Sequence, residues 1–294
     1  MATSNNPQDG TIPSPAKAPA LGVNPPFLAN SPETAAVADL DRCVADAEVA
    51  HMNAVDAFEL QQRWLCKRAF EFTSDQFELG LLLMALASAT ESYFRAVLAA
   101  SLVTCPICND HNIDKGKLSL RAISYYPESL VPLALLEHVS FSDAEAVRKQ
   151  TQELLQIEVP KSDKGASSLA SALQEFDKIC ALRHSLIHSL GFLNSQNCAE
   201  AGIGHRGLKV VAVTIDGFQV AADVCLSVVH AFNQFLFSRL MARLYQRGVL
   251  TGAREADGPL VQKVATVFLS RTSPAYTHDT EAIVRSIQNS FAQQ

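Results

Sequence analysis

The 294-residue chain carries 24 Lys and Arg against 30 Asp and Glu, a formal net charge of −6, with 48% hydrophobic and 18% charged residues. That is ordinary globular composition, and the length suits one large domain with appendages. The acidic balance argues against a protein that grips long nucleic acid through a basic surface, so any such contact is expected to be local.

Seven scattered cysteines read as reduced thiols, and no basic segment followed by an apolar run opens the chain, so a cytoplasmic protein without a signal peptide is expected. The apolar run 79–89 is closed by Thr90, Glu91 and Arg95, and Val220 to Leu240 contains Asp223, His230, Asn233 and Arg239. Both are predicted to be helices with one buried face, not membrane spans.

Residues 1–32 hold seven of the thirteen prolines. Such a segment buries too little apolar area to offset its ordering entropy, which predicts a disordered tail. A helix is predicted from Ser31-Pro32-Glu33 to about Lys67, with Val37, Leu40, Val44, Val55, Phe58 and Trp64 on its apolar face. Thr73 and Gln76 form a capping box that opens a second helix through Leu81, Leu86, Phe94 and Leu98. Glu91 and Arg95 are four apart on it; the spacing predicts a surface ion pair, or alternatively a polar pair facing a site.

Residues 102–116 read as a loop containing Cys105-Pro106-Ile107-Cys108, then His111. A Cys-x-x-Cys knuckle can give zinc two thiolates, but a structural site needs about four ligands and no second knuckle exists. His111, His138 or Cys198 would have to complete it. A redox pair lacks the surrounding βαβ pattern. The expectation is two loop thiols with no special role, with Cys105 and Cys108 as weak metal candidates. Helices are predicted over Pro127 to His138 and, from a capping box of Ser142 and Glu145, to about Ile157. Residues 102–166 thus form an insertion between principal helices.

Ser167 or Ser168 caps a helix that ends in Arg183-His184-Ser185-Leu186-Ile187-His188. Leu208 to Ile215 is β-branched and ends at Asp216-Gly217, which predicts a small ribbon with a hairpin-type turn. A long helix then runs from about Val220 to Arg247, with Gly248 at its end. Arg239, Arg243 and Arg247 make a basic stripe on its last turns, meeting either the helix dipole or a phosphate. Pro259 to Ser270 and Asp279 to Phe291 are further helical candidates. The sequence has no Walker loop, Gly-x-Gly-x-x-Gly, His-Glu-x-x-His or Gly-x-Ser-x-Gly.

At about 100° per residue, Phe176, Ile179, Leu182, Leu186, Ile187 and Leu190 gather on one arc, and Arg183 falls inside it. A charge on an apolar face is costly unless paired. Either its stem is buried with the guanidinium in water, or the face meets another protein surface. Asp177, Ala181, His184 and His188 line the arc's edge. His-x-x-x-His alone is a weak metal signal without a third ligand, and solvent-facing histidines without a task are the competing reading.

Arg183-His184-Ser185-Leu186-Ile187-His188 resembles the Arg-x4–6-His signature of the HEPN superfamily (higher eukaryotes and prokaryotes nucleotide-binding). The helix around Ala89-Thr90-Glu91-Ser92-Tyr93-Phe94-Arg95 resembles the long second helix of large HEPN proteins, and the likeness covers about 35–247. The 102–166 insertion and the 205–218 ribbon depart from a minimal four-helix member. The resemblance implies an all-α protein: a disordered tail at 1–32, a HEPN-like helical bundle at 33–248 with a long helical insertion and a small β-ribbon before the last core helix, and a helical extension at 249–294.

It also implies a homodimer and a metal-independent endoribonuclease of the toxin or phage-defence kind. Such an enzyme has RNA as substrate, a cognate antitoxin or defence partner, no cofactor and no membrane association. Arg183 would hold the scissile phosphate and His188 would act as acid–base, since an imidazole with a pKa of about 6.5 exchanges protons near neutrality. His184 would be the second acid–base or phosphate-orienting group. Glu91, Arg95, Asp177, Arg239 and Arg243 are candidate substrate-binding residues. Two alternatives stand beside this: a non-catalytic HEPN-like protein that binds nucleotide, RNA or a partner, and a helical protein with a structural zinc at Cys105 and Cys108.

Overall fold

A computed structural model describes residues 53–71, 75–109, 118, 120–126, 131–162, 168–204, 207–251 and 253–270. The expected tail at 1–32, the helix start near Ser31, Thr73, His111 and the helix at 279–291 lie outside the described residues. The described chain is mostly helical. In order it forms α1 (Ala54–Glu71), α2 (Gln76–Thr104), α3 (Leu120–Tyr125), α4 (Val131–Ala134), α5 (Ala144–Leu155), α6 (Leu169–His188), β1 (Phe192–Leu193), α7 (Ser195–Glu200), β2 (Lys209–Val210), α8 (Ile215–Gln246) and α9 (Arg254–Phe268).

Well inside the helix expected from Ser31 to about Lys67, Asn53 Oδ1 accepts from Asp56 N–H at 2.8 Å, so a helix begins at Ala54, and it ends at Glu71. Two later starts lie one or two positions from the sequence expectation. Asp75, not Thr73, caps α2, accepting from Phe77 and Glu78 N–H. Asp143, not Ser142, caps α5 through Ala146 N–H at 2.6 Å. A carboxylate at these positions satisfies orphan amide donors and meets the positive helix end. The expected hairpin turn at Asp216-Gly217 is instead the first turn of α8, because Thr214 Oγ1 accepts from Gly217 N–H at 3.1 Å. The ribbon is shorter than expected: two residues per strand, antiparallel, with Phe192 opposite Val210 and Leu193 opposite Lys209.

The helices α2 and α8 form the centre, and α2 packs against α1, α5, α6, α8 and α9. By length and composition alone both are apolar enough to cross a bilayer; here they bury much of that surface against the neighbouring helices. Phe94 is the hub, with ring centroids 5.7 Å from Phe176 on α6, 5.1 Å from Phe232 on α8 and 6.2 Å from Phe141 before α5. The Phe176 and Phe232 pairs are edge-to-face and the Phe141 pair is stacked, and aromatic pairs in such geometries add about 1 kcal/mol each beyond burial. Within the expected C-terminal extension, α9 packs onto α2 and α8 through Val261, Val264 and Phe268. Its end is tied to the start of α1 by Asn53 Nδ2 donating to Leu269 O and Ser270 Oγ to Asp56 Oδ1, both at 2.5 Å.

Candidate functional site

The end of α6 is shaped by a chain reversal. Ser189 and Gly191 N–H both donate to Ser185 O, at 3.1 and 2.9 Å, and Leu190 between them takes the left-handed conformation at φ 50°. That arrangement satisfies the last carbonyls but usually employs glycine; a leucine there costs about 1 kcal/mol or more. Leu190 is also 90% exposed. Ser185 is buried, donating to Ala181 O and accepting from Asn197 Nδ2 at 2.8 Å, so the motif helix is fixed to α7.

On the outer side of α6, His184 and His188 are exposed with ring centroids 4.7 Å apart. They open onto a cleft of about 950 Å³ with Arg183, Asp177, Lys178, Arg148 of α5 and Asn194 beside α7. The charged lining is mixed: Asp143, Glu145, Asp177 and Glu200 face Arg148, Lys178 and Arg183.

Arg183 finds its anion within the chain. Its Nη1 lies 3.2 Å from Glu91 Oε1 of α2, a charge contact without an aligned hydrogen bond. Arg183 is therefore neither a snorkelling arginine nor one that needs a partner chain for charge balance, and its placement on the apolar arc follows from this pair. Burial pushes the Glu91 carboxyl above its ordinary value, against the pull of Arg183 and then Arg95. The guanidinium side chain stays 25% exposed, and its buried Nε has no hydrogen-bond partner.

The expected Glu91–Arg95 ion pair does not form. Arg95 turns away, donating to the Leu136 and Val139 carbonyls, with its guanidinium 5.5 Å from the Phe141 ring. It anchors the 136–141 segment and does not line the cleft. Asp177 does line it and also accepts from Ala144 N–H at 2.6 Å, helping to cap α5. Burial raises the Asp177 carboxyl and that amide opposes the rise. Arg239 and Arg243 lie elsewhere, on a second cavity of about 600 Å³ with Lys161 and Glu158. Arg239 stacks over Phe235 at 5.5 Å. Arg243 turns inward to the Leu155 carbonyl and to Cys108.

Cys105 and Cys108 are not loop thiols. Cys105 closes α2, a helical turn spans 106–109, and both thiols are buried. Among the described residues no three His, Cys, Asp or Glu side chains cluster as metal ligands, and the Arg243 guanidinium stands where a cation would meet the two sulfurs.

Sequence reasoning missed Arg148, Lys178, Asn194 and Asn197. Asn194 left a signal, since asparagine before a short polar run is a good helix cap, and its Oδ1 accepts from Asn197 N–H at 2.8 Å. Arg148 left none, because only the fold brings the insertion helix to the cleft. No protein-family model, curated protein or solved structure matches this chain.

Proposed function

We propose that the chain is a metal-independent endoribonuclease of the HEPN type, a helical bundle acting as a homodimer in the cytoplasm, in a toxin or phage-defence role. The observation that carries this reading is the convergence of Arg183, His184 and His188 on one open cleft, with Arg183 oriented from behind by Glu91. A guanidinium has five donors, so contact with one carboxylate leaves others for a phosphate.

In the reaction, one imidazole, assigned to His188, takes the proton from the RNA 2′-hydroxyl. The O2′–P bond forms and the P–O5′ bond breaks. The departing 5′-oxygen takes a proton from His184, leaving a 2′,3′-cyclic phosphate and a 5′-hydroxyl. Arg183 balances the charge that builds on the phosphoryl oxygens. The mixed charge of the lining suits contact with one or two phosphates better than a long electrostatic track.

An exposed apolar surface beside His188, made of Ile187, Leu190, Phe192, Leu208 and Val210, supports pairing with a second copy. An antitoxin or defence partner would compete for the same surface. The acidic net charge favours a second reading, a HEPN-like protein that binds nucleotide, RNA or a partner without cutting.

Purified protein is expected to cut single-stranded RNA in EDTA, leaving cyclic phosphate ends. His188→Ala is expected to stop cutting while the protein stays dimeric in solution. Undiminished cutting by that variant sinks the assignment, and RNA binding without any cleavage by the wild type selects the second reading.

A further inference from the structure

A second arginine lies beyond the other end of α5, in a site that the ribonuclease reading leaves unused. At the end of α2 the Cys105 N–H donates to Ser101 O, and the chain passes directly into the turn at 106–109. There the Cys108 and Asn109 N–H groups donate back to Cys105 O at 3.1 and 3.0 Å. This winding brings the two thiols into hydrogen-bonding contact. Neither is exposed: Cys105 is at 0% and Cys108 at 1%.

Arg243 reaches them from α8. Its Nη2 donates to Cys108 Sγ at 2.7 Å and lies 3.9 Å from Cys105 Sγ, while Nη1 donates to the carbonyl of Leu155, the last residue of α5. A half-buried guanidinium calls for an anion. The acceptors the structure gives it are one carbonyl and two sulfurs, with no carboxylate among them.

The thiol pair supplies the anion. Cys105 is lowered to about 6 by the hydrogen bond from Cys108, against burial and with help from Arg243. Cys108 is pushed far up, because the shared hydrogen bond leaves the remaining proton on it and burial opposes a second charge. The pair therefore shares one proton and one negative charge more readily than two separate thiols would, as a reactive dithiol does. The other buried cysteines differ: burial raises Cys180 and Cys225, and neither has an arginine donating to its sulfur.

We propose that Cys105, Cys108 and Arg243 form an oxidisable dithiol site whose substrate is a small hydroperoxide. The thiolate of the pair attacks the terminal peroxide oxygen: an S–O bond forms, the O–O bond breaks, and hydroxide leaves from hydrogen peroxide, or the alkoxide from an organic hydroperoxide. The second sulfur then attacks the sulfenic sulfur. An S–S bond forms, the S–O bond breaks, and the departing hydroxide leaves as water with the second thiol's proton. The pair gives up two electrons and the peroxide accepts them.

Arg243 holds the pair's shared negative charge, through Cys108 Sγ at 2.7 Å and the longer contact to Cys105 Sγ, and shields it. Its outer side lines the cavity of about 600 Å³ shared with Gln156 and Lys161, so an oxidant arrives past the guanidinium. Burial of both sulfurs sets the size limit: a peroxide reaches them, whereas a peptide disulfide such as oxidised glutathione does not. This site and the ribonuclease reading stand independently.

The test uses reduced full-length protein and hydrogen peroxide, followed by alkylation of remaining thiols after unfolding and peptide mass spectrometry. The expected product is a Cys105–Cys108 disulfide, with Cys180 and Cys225 still alkylated and no disulfide when oxidised glutathione replaces peroxide. Cys105→Ser and Cys108→Ser should each block the disulfide, and the variant that keeps the attacking cysteine should stop at a sulfenic acid that dimedone traps. Arg243→Gln should slow oxidation roughly tenfold or more, through loss of thiolate, and Arg243→Lys should restore part of the rate. If Arg243→Gln fails to fold, the two cysteine variants decide alone. A pair that stays reduced at peroxide doses that oxidise the half-buried Cys66, or one that yields single-cysteine oxidation without a disulfide, overturns the proposal.

Discussion

Arg183 and Arg243 pose the same physical problem on two helices, and the chain solves it differently. Each side chain leaves a largely apolar face, and each has a buried Nε without a hydrogen-bond partner. Arg183 meets the carboxyl group of Glu91, and its cleft is open. Arg243 meets two buried thiols, which carry charge only as a shared anion. An arginine beside a carboxylate is set to receive a further anion, because its charge is already oriented. An arginine beside thiols makes its neighbours reactive. The partner's chemistry, more than the arginine, decides what each site can do.

The largest expected effect lies at the open site. His188→Ala should lower RNA cleavage by about 100-fold or more, the usual scale for losing a general acid–base group. Cys105→Ser should leave cleavage within about twofold of wild type if the two sites are as separate as they look. Rates on one single-stranded RNA measured side by side check both. Loss of cleavage in Cys105→Ser would join the sites and break the comparison.

Next comes the buried thiol pair. Arg243→Met removes a charged donor from the Leu155 carbonyl and from Cys108, and should lower stability by about 2 kcal/mol in urea unfolding. A change near zero would mean that the guanidinium is not structurally committed there.

The pH dependence separates the two arginines further. Glu91 binds its proton more tightly folded than unfolded, because burial raises it. Its contribution to stability is therefore greatest below its unfolded value of 4.5 and declines as pH rises through the window just above it. In Glu91→Gln that component of the decline should vanish from the window above pH 4.5, as read from denaturation midpoints. An unchanged profile would assign the slope to another carboxylate, with Asp177 the first candidate.

The smallest effect expected is a gain. Leu190→Gly relieves the left-handed leucine and should stabilise the monomer by about 1 kcal/mol in thermal or urea melts. It also removes an apolar contact from the surface proposed to pair two copies, so dimer dissociation should become easier in the same variant. Stabilisation with unchanged dimerisation would move the interface away from α6.

The helices were legible wherever apolar periodicity or a capping residue marked them. The two longest were plain: the spacing of Leu81, Leu86, Phe94 and Leu98 marked one, and the run from Val220 to Arg247 the other. The starts moved because several polar residues competed for each cap, and the carboxylates Asp75 and Asp143 prevailed over the hydroxyls Thr73 and Ser142. The Asp216-Gly217 pair looked like a hairpin since that dipeptide suits a turn, and only the Thr214 cap reveals a helix start. At the site, the sequence marked Arg183 as anomalous without naming its partner. Glu91 stands on another helix, and the i, i+4 rule pointed it at Arg95 instead. Cys105 and Cys108 were visible as a spacing, but Arg243 faces them only because α8 crosses the end of α2.

The Phe94 hub bears on how the chain is made. Its partners Phe141, Phe176 and Phe232 emerge from the ribosome well after it, Phe232 roughly 10 s later at ordinary elongation rates. During that interval only α1 is in place beside α2, and the faces that α6 and α8 will cover lack their partners. The later helices, α8 and then α9, therefore close the core, and a truncation before Phe232 should yield aggregated chain instead of a smaller folded domain.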